Sequence, residues 1–179
     1  MKFTTYFLLG GLVLGACAAC SQGQKSEGTD KEDPHVVMKA EAGRQGPRRM
    51  ELSDVTSRFR FQGKPCEAQV FRSPDETLPL VKDEQGNEFV DNRVILRLTS
   101  DGRRLPDRVF TKSSFSSVVS EDFLRHAILE GLVYDTVTAR EVVFAASVSY
   151  PESDLYVPIR LGISADGHVT MRAEDLLEE

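Results

Sequence analysis

Apolar and polar residues alternate along most of the chain after about residue 50. Over residues 55–62, every second position is a core-type or small residue and the positions between are polar or charged. The inward positions of this stretch are Val55, Ser57, Phe59 and Phe61. A period of two is typical of a strand with one buried face. Gly63 and Lys64 would turn this strand into a second one at residues 66–71.

Two Asp-Gly pairs predict further hairpins. Asp101-Gly102 separates strands at residues 93–99 and 103–111, and Asp166-Gly167 separates strands at 155–164 and 168–173. Asp-Gly accommodates the positive φ angles that tight hairpin turns require. The strand at 155–164 has one dry face, and its Pro158 lacks an N–H donor, which predicts an edge strand or a bulge.

The remaining elements complete a mainly β domain. Residues 141–150 are small or apolar on both faces, which predicts a central strand, and residues 129–137 are its expected partner. Ser120 precedes two acids and a stretch with helical spacing, which predicts an N-cap and a short helix. We therefore expect one domain over residues 50–179, with antiparallel hairpins forming a sandwich or a partly open barrel and one short helical insertion.

The N-terminus has the pattern of an export signal. One charge, Lys2, precedes an apolar run that is too short to span a bilayer. Leu14-Gly15-Ala16-Cys17 resembles a bacterial lipobox, with Cys20 as the alternative lipid site. Residues 1–16 are then a lipoprotein signal peptide, and the polar residues 17–49 are a flexible tether. A lipidated cysteine would hold the protein on a membrane.

Charge and cysteine content narrow the function classes. The net charge of −6 argues against a nucleic-acid partner, which needs a basic surface. Of three cysteines, Cys66 alone lies in the predicted domain, so no disulfide framework is expected. We interpret Cys66 as a small buried thiol; a bridge to Cys20 or a reactive thiol are the alternatives. The histidines lack metal-ligand spacing, and no cofactor is predicted.

One acidic loop is the candidate site in the domain. It contains Asp83, Glu84 and Glu88, with Asp91 close behind, and Gly86 lies within it. Clustered oxygen ligands with a glycine suit calcium, but the spacing departs from the EF-hand pattern. The favoured interpretation is a solvated turn between two strands. The sequence predicts no metal site and no catalytic residue, since no Gly-x-Ser-x-Gly elbow is present.

Four stretches together carry a family resemblance: PDETLPLVKDEQGNEFVDN (74–92), VFTKSSF (109–115), ILEGLVYD (128–135) and FAASVSYPESDLYVPI (144–159). They resemble a family of small uncharacterised lipoproteins from Bacteroidetes that carry a domain of unknown function. The resemblance implies a location in the cell envelope and no assigned activity. Lipoproteins of this group that reach the cell surface tend to carry acidic residues just after the lipidated cysteine. Residues 18–24 contain no acidic residue, which favours a periplasm-facing protein. Asp135-Thr136-Val137 resembles an O-glycosylation motif, with Thr136 as acceptor.

Three functions are compatible with the sequence. The leading hypothesis is a lipid-anchored domain that binds or scaffolds another envelope component without chemistry. The second is an envelope hydrolase, which requires convergence of at least two of the loop carboxylates, namely Asp83, Glu84, Glu88, Asp91, Glu152 and Asp154. The third is a carrier of a small ligand, which requires a cavity that side chains do not fill.

Overall fold

The computed structural model describes residues 46–174 of the chain, so the predicted lipid sites Cys17 and Cys20 lie outside the described residues. The described part folds into strands with one α-helix. The strands are β1 (Ser53–Phe61), β2 (Lys64–Pro74), β3 (Val81–Lys82), β4 (Glu88–Phe89), β5 (Asn92–Ser100), β6 (Arg103–Arg104), β7 (Arg108–Phe110), β8 (Ile128–Val137), β9 (Glu141–Ser149), β10 (Tyr156–Ser164) and β11 (Val169–Ala173).

Two antiparallel sheets form a sandwich-like fold. The first has the order β1-β2-β5, with β6 and β7 both paired to the far side of β5. The second has the order β11-β10-β9-β8, so β9 is an internal strand, as predicted. β3 and β4 form a small separate hairpin. The sheets do not close into a barrel, and the sandwich is therefore the confirmed alternative.

The core lies between the inward faces of the two sheets. Its fully buried side chains include Leu96 from the first sheet and Phe144 and Leu161 from the second. Burial of each such side chain contributes about 1.5–3 kcal/mol. A smaller cluster of Val81, Phe89 and Ile128 packs beneath the β3–β4 hairpin. The period of two thus predicted the buried faces correctly along most of these strands, but Val55 and Leu155, which the pattern placed on buried faces, are 48% and 60% exposed.

The two Asp-Gly turns are present where the sequence placed them, whereas the first turn lies at Gln62-Gly63, one residue before the predicted Gly63-Lys64, because Lys64 already pairs with Phe61. Gln62 and Gly63 have φ angles of 50° and 78°, and Asp101 and Gly102 have φ angles of 51° and 74°. Two consecutive positive φ angles define the turn whose twist matches an antiparallel hairpin. In the β10–β11 hairpin, Gly167 has a φ angle of 87°, and its N–H donates to the carbonyl of Ser164 at 2.9 Å.

The helical insertion also matches the prediction. The α-helix α1 spans Glu121–His126, and the hydroxyl of Ser120 accepts a hydrogen bond from the N–H of Phe123 at 3.3 Å. A 3₁₀ helix at Lys112–Phe115 precedes it. Ser120 therefore satisfies one of the N–H groups that a helix leaves unpaired at its first turn.

Two details differ from the sequence prediction. β10 is not an edge strand, because it pairs with both β9 and β11. The carbonyl of Pro158 accepts a hydrogen bond from the N–H of Glu174, which follows the last β11 pair. Because the N–H and C=O of a strand residue point to the same side, the missing N–H of Pro158 faces the end of β11. The predicted strand at 103–111 is divided into β6 and β7, because Pro106 cannot donate to β5.

Within residues 46–174, no helix has both the length and the apolar character needed to cross a membrane.

Candidate functional site

The sandwich has two ends that differ in construction. At one end, which we call the hairpin end, lie the β1–β2, β5–β6, β8–β9 and β10–β11 turns. At the other, the loop end, lie the β3–β4 hairpin, the helical insertion and the β9–β10 turn. The predicted acidic loop belongs to the loop end. Each end has a cleft lined by polar and apolar side chains.

Asp83 holds the β3–β4 turn together. Its carboxylate accepts hydrogen bonds from the N–H groups of Gln85 (2.9 Å) and Asn87 (2.8 Å) and from the side-chain amide of Asn87 (2.7 Å). These donors, the Asn87 side chain first, lower the pKa of Asp83 despite some desolvation. Asp83 is thus an ionised turn residue, in agreement with the favoured interpretation of a solvated turn.

The other two acids of the loop point outward. Glu84 is exposed, and Glu88 pairs with Lys82 across the short hairpin, with Nζ and Oε1 separated by 3.1 Å. In residues 46–174, no group of three or more His, Cys, Asp or Glu side chains is placed to hold a metal ion.

Asp91 is separated from the loop and buried in the domain. It is 1% exposed, and its carboxylate accepts from the N–H groups of Asn92 (2.8 Å) and Leu129 (2.9 Å). The ammonium of Lys112 lies 3.6 Å away and donates to the carbonyl of Ala127 at 2.8 Å. Asp91 therefore connects the start of β5, the 3₁₀ helix and the start of β8.

The ion pair is strongly influenced by burial. Desolvation raises the pKa of Asp91, and the two backbone donors and the charge of Lys112 oppose this effect. Desolvation lowers the pKa of Lys112, and the charge of Asp91 opposes it. Next to this pair, the amide of Asn92 donates to the carbonyl of Leu129 at 2.9 Å. We call Asp91, Asn92 and Lys112 the buried polar centre.

The loop-end cleft brings together residues from distant parts of the sequence. It has a volume of about 690 Å³ and is lined by the β3–β4 turn, the end of α1 and the β9–β10 turn. Its charged and aromatic lining residues are Lys82, Asp83, Glu84, His126, Tyr150 and Glu152. Glu152 is ion-paired with Arg48. Asp154 lines a neighbouring cleft of about 330 Å³ on the other side of the same turn.

Three of the six predicted loop carboxylates therefore converge in space and three do not. Asp83, Glu84 and Glu152 share the loop-end cleft, whereas Glu88, Asp91 and Asp154 are not among its lining residues. His126 and Tyr150, whose rings lie 6.0 Å apart, were not predicted as site residues. His126 and Tyr150 are 24 residues apart in sequence, and no local pattern indicates that they meet.

The hairpin-end cleft lies between the two sheets and has an apolar floor. It has a volume of about 430 Å³, and its floor consists of Phe61, Cys66, Leu98, Val142 and Ile163. Its charged rim residues are Lys64, Asp101 and Arg103. Cys66 is 9% exposed, and its sulfur lies 3.5 Å from the hydroxyl of Ser100. The prediction of a small, buried thiol at residue 66 is confirmed.

Thr136, the predicted glycosylation acceptor, is exposed on β8 next to an irregularity in the β8–β9 pairing. The hydroxyl is therefore accessible, and the modification itself remains a prediction.

The family of the chain follows from a comparison of its sequence with protein-family models. The model described as Domain of unknown function (DUF4738) matches residues 32–171, which is well over half of the 179 residues. The chain belongs to this family. No curated protein is significantly similar to it. The match begins before the first described residue, Gly46, and ends within β11.

Proposed function

We propose that the chain is a lipid-anchored protein of the cell envelope whose sandwich domain binds another envelope component without chemistry of its own. The observation that carries this proposal is the loop-end cleft, in which three carboxylates stand beside apolar and aromatic surface. Asp83, Glu84 and Glu152 outnumber the two cations beside them, Lys82 in the lining and Arg48, which pairs with Glu152. Tyr150 and the 60% exposed Leu155 supply apolar contact area. The partner that suits this cleft is a basic segment with apolar side chains.

The protonation of the carboxylates favours binding over hydrolysis. Convergence of Asp83, Glu84 and Glu152 meets the geometric condition for the hydrolase hypothesis. General acid catalysis, however, needs a carboxyl group with a raised pKa at the cleft surface. The pKa of Asp83 is lowered, and Asp91, the carboxyl group whose pKa is raised within residues 46–174, is 1% exposed. An ionised acceptor suits the recognition of a cation.

The proposed anchor comes from the sequence. Lipidation at Cys17, with Cys20 as the alternative, would place residues 17–49 between the membrane and the domain. The absence of acids in residues 18–24 supports a periplasm-facing orientation. The mass of the protein extracted from membranes tests the anchor, because processing at Cys17 leaves three more residues than processing at Cys20. Release of an unlipidated protein into the soluble fraction would contradict it.

Binding of pentalysine to the full chain tests the cleft. We expect the double variant Glu84→Gln/Glu152→Gln to bind about fivefold more weakly than the wild type, since each exposed charge pair contributes roughly 0.2–1 kcal/mol. The matched control is Asp54→Asn/Glu67→Gln, which removes two acids from the outer face of β1 and β2. Equal weakening by both double variants would show non-specific attraction to a negative protein and would contradict the proposal.

A further inference from the structure

The hairpin-end cleft differs from the loop-end cleft in the sign of the excess charge among its lining residues. Its floor is formed by apolar side chains from both sheets, and Phe61, Leu98, Val142 and Ile163 are each 8% exposed or less. Three tight turns, β1–β2, β5–β6 and β10–β11, contribute residues to its lining. Its volume of about 430 Å³ lies within the range of about 300–1,000 Å³ that is typical of small-molecule sites.

The rim of this cleft carries two positively charged side chains without an ion-pair partner among the described residues. Arg97 and Arg104, on the neighbouring strands, both pair with Asp107, at 3.3 and 2.8 Å. By contrast, Lys64 and Arg103 are exposed and form no ion pair within the described residues. Asp101 is the single acid of the lining, so the rim has an excess of one positive charge in a chain of net charge −6.

From the apolar floor and the cationic rim we infer that the hairpin-end cleft binds a single-chain amphiphile with an anionic head, such as an alkyl carboxylate. The alkyl chain would lie between the sheets, and its burial supplies most of the affinity at about 0.8 kcal/mol per CH₂. The head would lie at the rim between Lys64 and Arg103, where attraction discriminates between head groups. This site is separate from the loop-end cleft and does not depend on the function proposed for it.

Cys66 makes the inference testable because its thiol lines the cleft. In the full chain with Cys17→Ser and Cys20→Ser, Cys66 is the only thiol. Decanoate, 1-decanol and decyltrimethylammonium share one alkyl chain and differ in head charge. Below micelle-forming concentrations, we expect decanoate to slow modification of Cys66 by N-ethylmaleimide at the lowest concentration, followed by decanol and then decyltrimethylammonium.

Two sets of variants separate the contribution of the rim from that of the floor. Lys64→Gln/Arg103→Gln should remove the preference for decanoate over decanol, a change of about fivefold to tenfold, because two exposed pairs each contribute roughly 0.2–1 kcal/mol. Leu105, half-buried at the rim, provides a matched pair: Leu105→Glu should weaken decanoate binding more than Leu105→Lys does. Urea denaturation of each variant verifies that it is folded.

Three outcomes would overturn the inference. The first is that none of the three amphiphiles slows modification of Cys66 in a folded protein. Another is equal protection by decanoate and decyltrimethylammonium, which would show that the rim does not select charge. The third combines two results: the chain co-sediments with anionic vesicles and loses this binding in Lys64→Gln/Arg103→Gln, and decanoate does not protect Cys66. Together these results would identify a membrane-docking surface instead.

Discussion

The two ends of the sandwich are stabilised in different ways. At the hairpin end, residues adjacent in sequence form each turn, as Gln62-Gly63 and Asp101-Gly102 show. At the loop end, the buried polar centre joins residues distant in sequence: Asp91 and Asn92 each bond to Leu129, 38 and 37 residues away. Damage at the hairpin end should therefore remain local and modest. Damage to the buried polar centre should affect β5, β8 and the helical insertion together.

The largest expected effect is loss of the Asp91 carboxylate. We expect Asp91→Ala to lower the free energy of unfolding by about 3–5 kcal/mol, because it leaves the half-buried Lys112 without a counter-charge and the N–H of Leu129 without an acceptor. Urea denaturation of the full chain measures this loss. The control is Glu84→Ala in the exposed loop, which should change stability by less than about 0.5 kcal/mol. A loss below about 1 kcal/mol for Asp91→Ala would refute the role of the centre.

Removal of both charges should be less harmful than removal of one. Asp91→Asn/Lys112→Met should be more stable than the sum of the two single variants predicts, because neither charge then remains buried alone. A double-mutant cycle in urea measures the coupling. Additive losses would mean that Lys112 and Asp91, although 3.6 Å apart, have no measurable interaction free energy.

The buried polar centre should also leave a signature in the pH dependence. Since burial raises the pKa of Asp91, the folded state holds a proton that the unfolded state releases above about pH 4. The free energy of unfolding should therefore fall as the pH rises from about 4 through the raised pKa, and Asp91→Asn should lack this fall. Below about pH 4 the slope should reverse, because the pKa values of Asp75, Asp83, Asp107 and Asp166 are lowered. Identical profiles for the two proteins would contradict the assignment to Asp91.

A turn substitution at the hairpin end should cost less. Gly102→Ala should lower the free energy of unfolding by about 1 kcal/mol, because a Cβ disfavours the φ angle of 74°. Gly131→Ala is the matched control, since Gly131 has no positive φ and an added Cβ would meet only Arg72 Nη1, at 3.8 Å. Equal effects of the two substitutions would show that the turn geometry contributes nothing.

The smallest expected effect is at the exposed ion pair of the β3–β4 hairpin. Glu88→Gln removes the partner of Lys82, and both side chains are at least 40% exposed. Exposed pairs contribute about 0.2–1 kcal/mol, so the change in unfolding free energy should be a few tenths of a kcal/mol and at most about 1 kcal/mol. A much larger loss would mean that this pair, in addition to the buried polar centre, holds the loop end together.

The contrast between the ends also explains what could be predicted from the sequence. The alternation of apolar and polar residues, the Asp-Gly pairs and the N-cap at Ser120 are local signals. They predicted the hairpins, the internal strand β9 and the short helix. The structure of the loop end depends on tertiary contacts, which the sequence does not show. The sequence analysis therefore grouped Asp91 with Asp83, although Asp91 is buried and Asp83 lies in an exposed turn. Likewise, no periodic pattern indicated that His126 and Glu152 would face the same cleft.

A pair of amide chemical-shift titrations of the isotopically labelled full chain, one with decanoate and one with pentalysine, would show whether the two ends bind different ligands. We expect decanoate to shift amides of the hairpin end, including Gly63, Ser100 and Gly102. We expect pentalysine to shift amides of the loop end, including Gln85, Gly86 and Ser153. Shifts from both probes at the same end, or from neither at either end, would contradict this expectation.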